Sequence, residues 1–205
     1  MTGDAGGFAT GDAPIAGADG DRAPETATPR GTGTIVLVGV PGAGVSITAV
    51  AVGEALGIEV RDTDELVAER LGAPVHELVV DLGEDEYRAA ESAVVTEVLA
   101  TDPLARPAVV GLGSGALGAV ADRLAELRAE GVPVVHLRLT PGTAMRRLGL
   151  SGLGSVALPN PRAMWTTMAA ERDAALEAVA STTIDTTAMD PDEVRDAVLE
   201  VVRAG

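Results

Sequence analysis

The sequence predicts an α/β fold in three layers, a five-stranded parallel sheet with helices on both faces. Three observations predict it. Short β-branched apolar runs alternate with longer helical runs five times along the chain. Those runs are near-continuously apolar, as strands buried on both faces are. The first of them, Ile35–Val38, ends in a glycine-rich loop that leads straight into a helix. A chain of repeated strand, crossover helix and strand winds its sheet between two helical layers.

Residues 1–33 come first. They are rich in Gly, Ala, Thr, Asp and Pro, and set Asp4, Asp12, Asp19, Asp21 and Glu25 against Arg22 and Arg30. Such a segment buries too little apolar surface to offset its ordering entropy, so a disordered acidic leader is expected. It has no signal-peptide apolar stretch and is too acidic for a transit peptide. Residues 34–205 are then one folded domain. After the loop, a helix is expected from about Ser46 to Leu56, closed by Gly57 as C-cap. Ile58–Arg61 reads as the second strand and delivers Asp62-Thr63-Asp64 at its carboxyl end. Helical runs follow over Glu65–Leu71, Pro74–Val80 and Glu84–Ala100, with Gly83 breaking the last two apart. Val109–Leu112 is a strand, Leu117–Glu130 a helix stopped by Gly131, and Val132–Leu139 a strand. Pro141 opens a short helix that closes on Arg146 and Arg147. Leu150–Pro161 is loop-like, Arg162–Val179 helical and Thr182–Asp185 the last strand, before a closing helix from Pro191 to Val202.

Composition narrows the function. Hydrophobic residues make up 46% of the chain, with one Phe, one Trp and one Tyr, so the core is built from Ala, Val, Leu and Ile. No apolar run approaches the length of a membrane span, which leads us to expect a cytoplasmic protein. Cysteine is absent, which excludes disulfides and thiolate metal sites. His76 and His136 are the only histidines, too few to favour a transition-metal centre. A net charge of −16 argues against a nucleic acid or an anionic membrane as partner. All 15 basic residues are arginine.

That last fact bears on the loop. Gly39-Val-Pro-Gly-Ala-Gly44-Val45-Ser46 matches the phosphate-loop pattern G-x-x-x-x-G-K-[ST] except that Val45 stands for the lysine. Gly39, Gly42 and Gly44 let the backbone turn so that its N–H groups and the helix N-terminus cradle an anion. Read alone, the loop fits equally an ordinary strand-to-helix turn that binds nothing. Asp62 and Asp64 sit at a strand's carboxyl end, where open α/β sheets bind ligands. They are also placed to cap the next helix. A dinucleotide-binding reading fails on spacing, which is not G-x-G-x-x-G.

Further landmarks follow in order: Gly83-Glu84-Asp85-Glu86-Tyr87-Arg88, Gly111-Leu112-Gly113-Ser114-Gly115, the pair Arg146-Arg147 before a lid, and Glu171-Arg172. With the loop and Asp62-Thr63-Asp64, this series resembles the shikimate kinase family of nucleoside-monophosphate-kinase-like P-loop proteins. The resemblance runs from about Thr34 to Arg203. It implies the three-layer P-loop kinase fold, with a helical substrate-binding segment over about 63–91 and a short lid over about 149–161. It implies a small hydroxylated carboxylic acid such as shikimate as ligand, and ATP with Mg²⁺ if the chain is active. By the same resemblance Asp64 binds the ligand's hydroxyls and acts as base, and Arg88 and Arg172 grip its carboxylate. Gly113, Ser114 and Gly115 shape the pocket, with serine where the family has a middle glycine. Gly39, Gly42, Gly44, Val45, Ser46 and Ile47 stand at the nucleotide positions, with Arg147 over the adenine. Ser46 and Asp62 stand at the metal positions. Arg88 has a plainer reading too, as an ion pair with Glu84 or Glu91 on its own helix.

The ATP side departs from the family. Val45 replaces the loop lysine, Gly154 falls where the lid arginine belongs, and Arg172-Asp-Ala-Ala-Leu176 replaces R-x-P-L-Y. Phosphoryl transfer is mostly positioning and charge stabilisation, and one cation is worth about 10³-fold or more. The expectation is a protein that keeps the hydroxy-acid pocket with weak or no ATP-dependent phosphotransferase activity. Two alternatives stay open: an active shikimate kinase with a substitute cation such as Arg61 or Arg146, and a non-catalytic interaction protein whose leader recruits a protein partner.

Overall fold

The computed structural model describes residue 1 and residues 33–100, 106–113, 115–150 and 160–204. The leader over residues 2–32, Ser114 and most of the expected lid, Gly154 included, lie outside the described residues.

Five parallel strands form the sheet: β1 (Ile35–Gly39), β2 (Glu59–Asp62), β3 (Ala108–Leu112), β4 (Val134–Arg138) and β5 (Thr182–Asp185), in the order β2-β3-β1-β4-β5. Every residue of β1 and β3 is buried, as their unbroken apolar sequences require. β1 pairs with β3 from Ile35↔Val109 to Val38↔Leu112, and with β4 from Val36↔Val134 to Gly39↔Leu137. β2, at one edge, places Asp62 opposite Gly111 of β3. The carboxyl ends of β1, β2 and β3 therefore open on one crevice.

The helices are α1 (Val45–Leu56), α2 (Thr63–Leu71), α3 (Val75–Leu82), α4 (Glu84–Ala100), α5 (Leu117–Ala129), α6 (Pro141–Arg147), α7 (Pro161–Val179) and α8 (Pro191–Ala204). They cover both faces, α1 packing against α8, and α5 against α4 and α7. The main core joins Ile35–Val38 to Val52, Leu112, Leu124, Leu137, Trp165 and Leu176. A second, small core of Val67, Leu78, Tyr87 and Val94 ties α2, α3 and α4 together beside the crevice. No helix among the described residues is long and apolar enough to cross a membrane.

β2 runs one residue later than expected, β4 is shorter than the Val132–Leu139 run and α3 is displaced to Val75–Leu82; two further differences bear directly on the site. Helix α1 starts at Val45, one residue early, because Gly44 (φ 89°) takes the left-handed cap position. The cap of α2 is Asp62 and not Asp64: extended backbone at Asp62 lets its Oδ1 accept from the N–H of Asp64 (2.9 Å) and of Glu65 (3.3 Å).

Candidate functional site

Gly39, Gly42, Gly44, Val45, Ser46 and Ile47 wrap one side of a cavity of about 720 Å³, and Asp62, Asp64, Gly113 and Arg147 line the rest with Met189, Pro191 and Val194. Gly42 (φ 89°) and Gly44 hold left-handed backbone, which folds the loop back over the start of α1. The first N–H groups of that helix have no i−4 carbonyl and face the cavity.

Val45 points inward. A Cβ on Gly39 would stand 3.2 Å from its Cγ2, one on Gly111 would stand 3.5 Å from its Cγ1, and the side chain packs on the main core. It closes the floor between β1 and β3 with methyl groups. Asp62 is the neighbour on that floor, with Oδ2 at 3.1 Å from the same point above Gly111. Asp62 is buried, one oxygen caps α2, and the other has no hydrogen-bond partner. An orphaned carboxylate oxygen facing a cavity that Ser46 also lines is a donor set that suits a hard divalent cation.

Asp64 lies deeper. Burial, and then the charges of Asp62 and Glu91, push its carboxyl up to about 6, against the pull of Arg88. Its Oδ1 occupies the space a Gly113 side chain would fill, and Glu91 Oε1 lies 3.0 Å from the same point. Arg88 Nη1 similarly fills the space above Gly115, with Glu91 Oε2 at 2.6 Å. The two glycines are thus required by side chains that press on the β3–α5 turn. Thr63, fully buried, accepts the N–H of Gly113 at 2.8 Å and locks that turn to the end of β2.

Arg88 is held by Glu91 at 2.7 Å and more loosely by Glu84 at 3.9 Å, over the Tyr87 ring. The plain ion-pair reading of Arg88 is therefore correct as far as it goes. Arg172 arrives from α7 close enough to Arg88 that burial and the Arg88 charge hold its own pKa down, against Glu91, Glu171 and Glu84. Two guanidinium groups held together by protein against their repulsion make a fork for one carboxylate.

A family model described as shikimate kinase matches residues 41–203. A shikimate kinase of Thermobifida fusca is 33% identical over 82% of this chain and 94% of its own length. One of Salinispora tropica is 36% identical over 78% of this chain and 91% of its own. The chain belongs to the shikimate kinase family. A solved shikimate kinase of Acinetobacter baumannii, in complex with shikimate, superposes with a TM-score of 0.70 at 24% identity, covering 84% of this chain and 93% of that one. A deoxyadenosine kinase of M. mycoides shares the fold at a TM-score of 0.56 and 15% identity, covering 84% and 100%.

Within this shikimate kinase-like site, the substitute cations do not reach the loop. Arg61 turns back to Glu59 through bonds of 3.0 and 2.9 Å. Arg146 donates to Thr143 at 3.0 Å, and neither arginine lines the cavity. Arg147 does, but both of its terminal nitrogens are engaged: Nη1 reaches the carbonyls of Gly42 and Ala43 and the Thr186 hydroxyl at 3.3 Å. Its Nη2 reaches the carbonyls of Thr186 (2.8 Å) and Met189 (3.1 Å). The guanidinium ties the loop carbonyls to those of Thr186 and Met189. Sequence reasoning gave Glu91 only as a partner for Arg88, and passed over Thr63 and the bond from Trp165 Nε1 to the Pro41 carbonyl (3.0 Å). Glu91 reads as one more acid on a charged helix; only its spacing of three from Arg88 hinted at more.

Proposed function

We propose that this member of the shikimate kinase family binds a shikimate-type hydroxy acid and transfers phosphoryl groups from ATP to it only weakly or not at all. One observation carries the reading: among the described residues the only cation lining the loop cavity is Arg147, and both of its terminal nitrogens are bonded to the protein itself. The acid-binding side has the opposite character. Arg88 and Arg172 are poised for a carboxylate, and Asp64 with Glu91 stands beside them for hydroxyl groups. The 24%-identical neighbour solved with shikimate supports that choice of ligand.

The family's cofactors are ATP and Mg²⁺. Ser46 and the free oxygen of Asp62 fit the metal, which would neutralise phosphate charge when bound. The nucleotide fits less well, since methyl groups of Val45 lie where a lysine would meet the β- and γ-phosphates. Arg147 offers a face for the adenine. The roles given to residues 63–91 as substrate segment and 149–161 as lid belong to the same proposal.

A working kinase is the second reading, favoured by the Asp64 carboxyl at about 6. There Asp64 takes the proton of the 3-hydroxyl as the oxygen attacks the γ-phosphorus, giving ADP and shikimate 3-phosphate. Calorimetric titration with shikimate and with Mg-ATP, beside an ADP-release assay, separates the two. We expect saturable shikimate binding and ADP release near background. Turnover at the rate of ordinary kinases, about 1–100 per second, rejects the first reading in favour of the second.

A further inference from the structure

Helix α7 brings Arg172 to Arg88, where the charges of Glu91, Glu171 and Glu84 oppose the repulsion between the two guanidinium groups, and the seating of α7 on the sheet sets where Arg172 arrives. Arg88 is fixed by Glu91 on its own helix. The counterpart on α7 is the residue next to Arg172. Asp173 turns toward the sheet and meets His136 of β4, with Nε2 and Oδ1 3.4 Å apart. His136 is 0% exposed. Neither of its ring nitrogens, nor Asp173 Oδ1, has a hydrogen-bond partner, although all three atoms are buried. An imidazole left so in a strand flanked by Val135 and Leu137 destabilises the fold, where a leucine would not. Its backbone is immobile, paired to Val38 of β1 on one side and Thr183 of β5 on the other. The charged groups acting on the ring are Asp173 and Glu177 from α7 and Arg138 from its own strand. The Arg138–Glu177 pair is about half-exposed and contributes little to holding the helix.

We propose that His136 and Asp173 form a positioning pair that sets the roll of α7 so that Arg172 converges with Arg88 on the ligand's carboxylate. The inference rests on the hydroxy-acid reading of the site. Neither residue touches the ligand; both act through Arg172.

The test uses the full chain and shikimate as the probe. In a His136→Leu/Asp173→Leu variant, melting temperature should stay level or rise, because apolar residues replace a poorly paired buried polar contact. Shikimate affinity should nonetheless fall by about three- to tenfold, the range of coupling between adjoining residues. The isosteric Asp173→Asn variant should weaken binding in the same direction and decides the matter if the leucine pair does not fold. In an Arg172→Ala background, Asp173→Asn should cause no further loss. Full affinity in a folded variant, or an undiminished effect in the Arg172→Ala background, overturns the positioning role alone. If the unaltered protein fails to bind shikimate, the reading of the site fails and the proposal falls with it.

Discussion

Replacing Val45 by lysine is the most direct way to restore what the loop lacks. The valine packs on the core, so the change removes one buried methyl at about 1 kcal/mol. The lysine stem can follow the path of the remaining γ-carbon. It emerges beside Asp62 Oδ2, an oxygen with no partner, which would receive the ammonium in the empty protein and offset part of that loss. With Mg-ATP present the ammonium is drawn to the phosphates. One cation at the transferring group is worth about 10³-fold, or about 4 kcal/mol of barrier. Val45→Lys should therefore raise ADP release with shikimate by up to about a thousandfold, and adding Gly154→Arg should raise it again by less than a second such factor. The assay is coupled ADP release at saturating shikimate, with Mg-ATP affinity measured on the same samples. A folded Val45→Lys protein that binds Mg-ATP yet gains no turnover refutes the missing-cation argument.

Three other substitutions probe the remaining geometry. Asp64 has its carboxyl raised from 3.8 to about 6, so its charged form opposes folding fully above about pH 6, and lowering the pH toward 4 relieves it. Asp64→Asn should then stabilise the protein by about 3 kcal/mol at pH 7.5 and by little at pH 4 in thermal melts, while shikimate affinity falls. Gly115→Ala drives a methyl into the Arg88 guanidinium and Glu91; displacement of that pair should weaken shikimate binding about tenfold or more at a stability loss of about 1–3 kcal/mol, read by calorimetry and chemical unfolding. Trp165→Phe keeps the ring and removes the bond to the Pro41 carbonyl, which should loosen the loop at about 1 kcal/mol. Trp165 is the chain's one tryptophan, so in the unaltered protein its fluorescence should change when Mg-ADP enters the loop.

The strands were legible because burial on both faces leaves mostly apolar residues: β1 and β3 carry nothing else, and β4 departs only at His136 and Arg138. The landmark residues were legible as types in order. What the order could not convey was which partner each one faces. Asp62 and Asp64 both read as candidate caps at the strand end, yet one caps the helix and has a second oxygen without a partner, while the other sits among carboxylates with a raised pKa. That division depends on a one-residue shift of the strand end, which no apolar pattern specifies. Thr63, and what Glu91 does beyond pairing with Arg88, were missed for a similar reason. Their importance lies in closeness to Gly113 and Gly115 across a gap of many residues, and the sequence shows only two unremarkable polar side chains.

Val45 is the harder case, because a missing residue is informative only if nothing else takes its place. The lack of lysine was plain from the chain, but an arginine brought from elsewhere by the fold would have cancelled it. Arg61, Arg146 and Arg147 were all near enough in principle. The structure gives each an occupation: Arg61 with Glu59, Arg146 with Thr143, Arg147 with carbonyls of the loop it lies against. The arginine nearest the expected phosphates is thus bound to the loop by neutral acceptors. Freeing it would unpin Gly42 and Ala43, the backbone that must hold its shape to cradle an anion. Moving Arg147 to the phosphates would therefore cost the loop its support, and among the described residues no other cation lines the cavity.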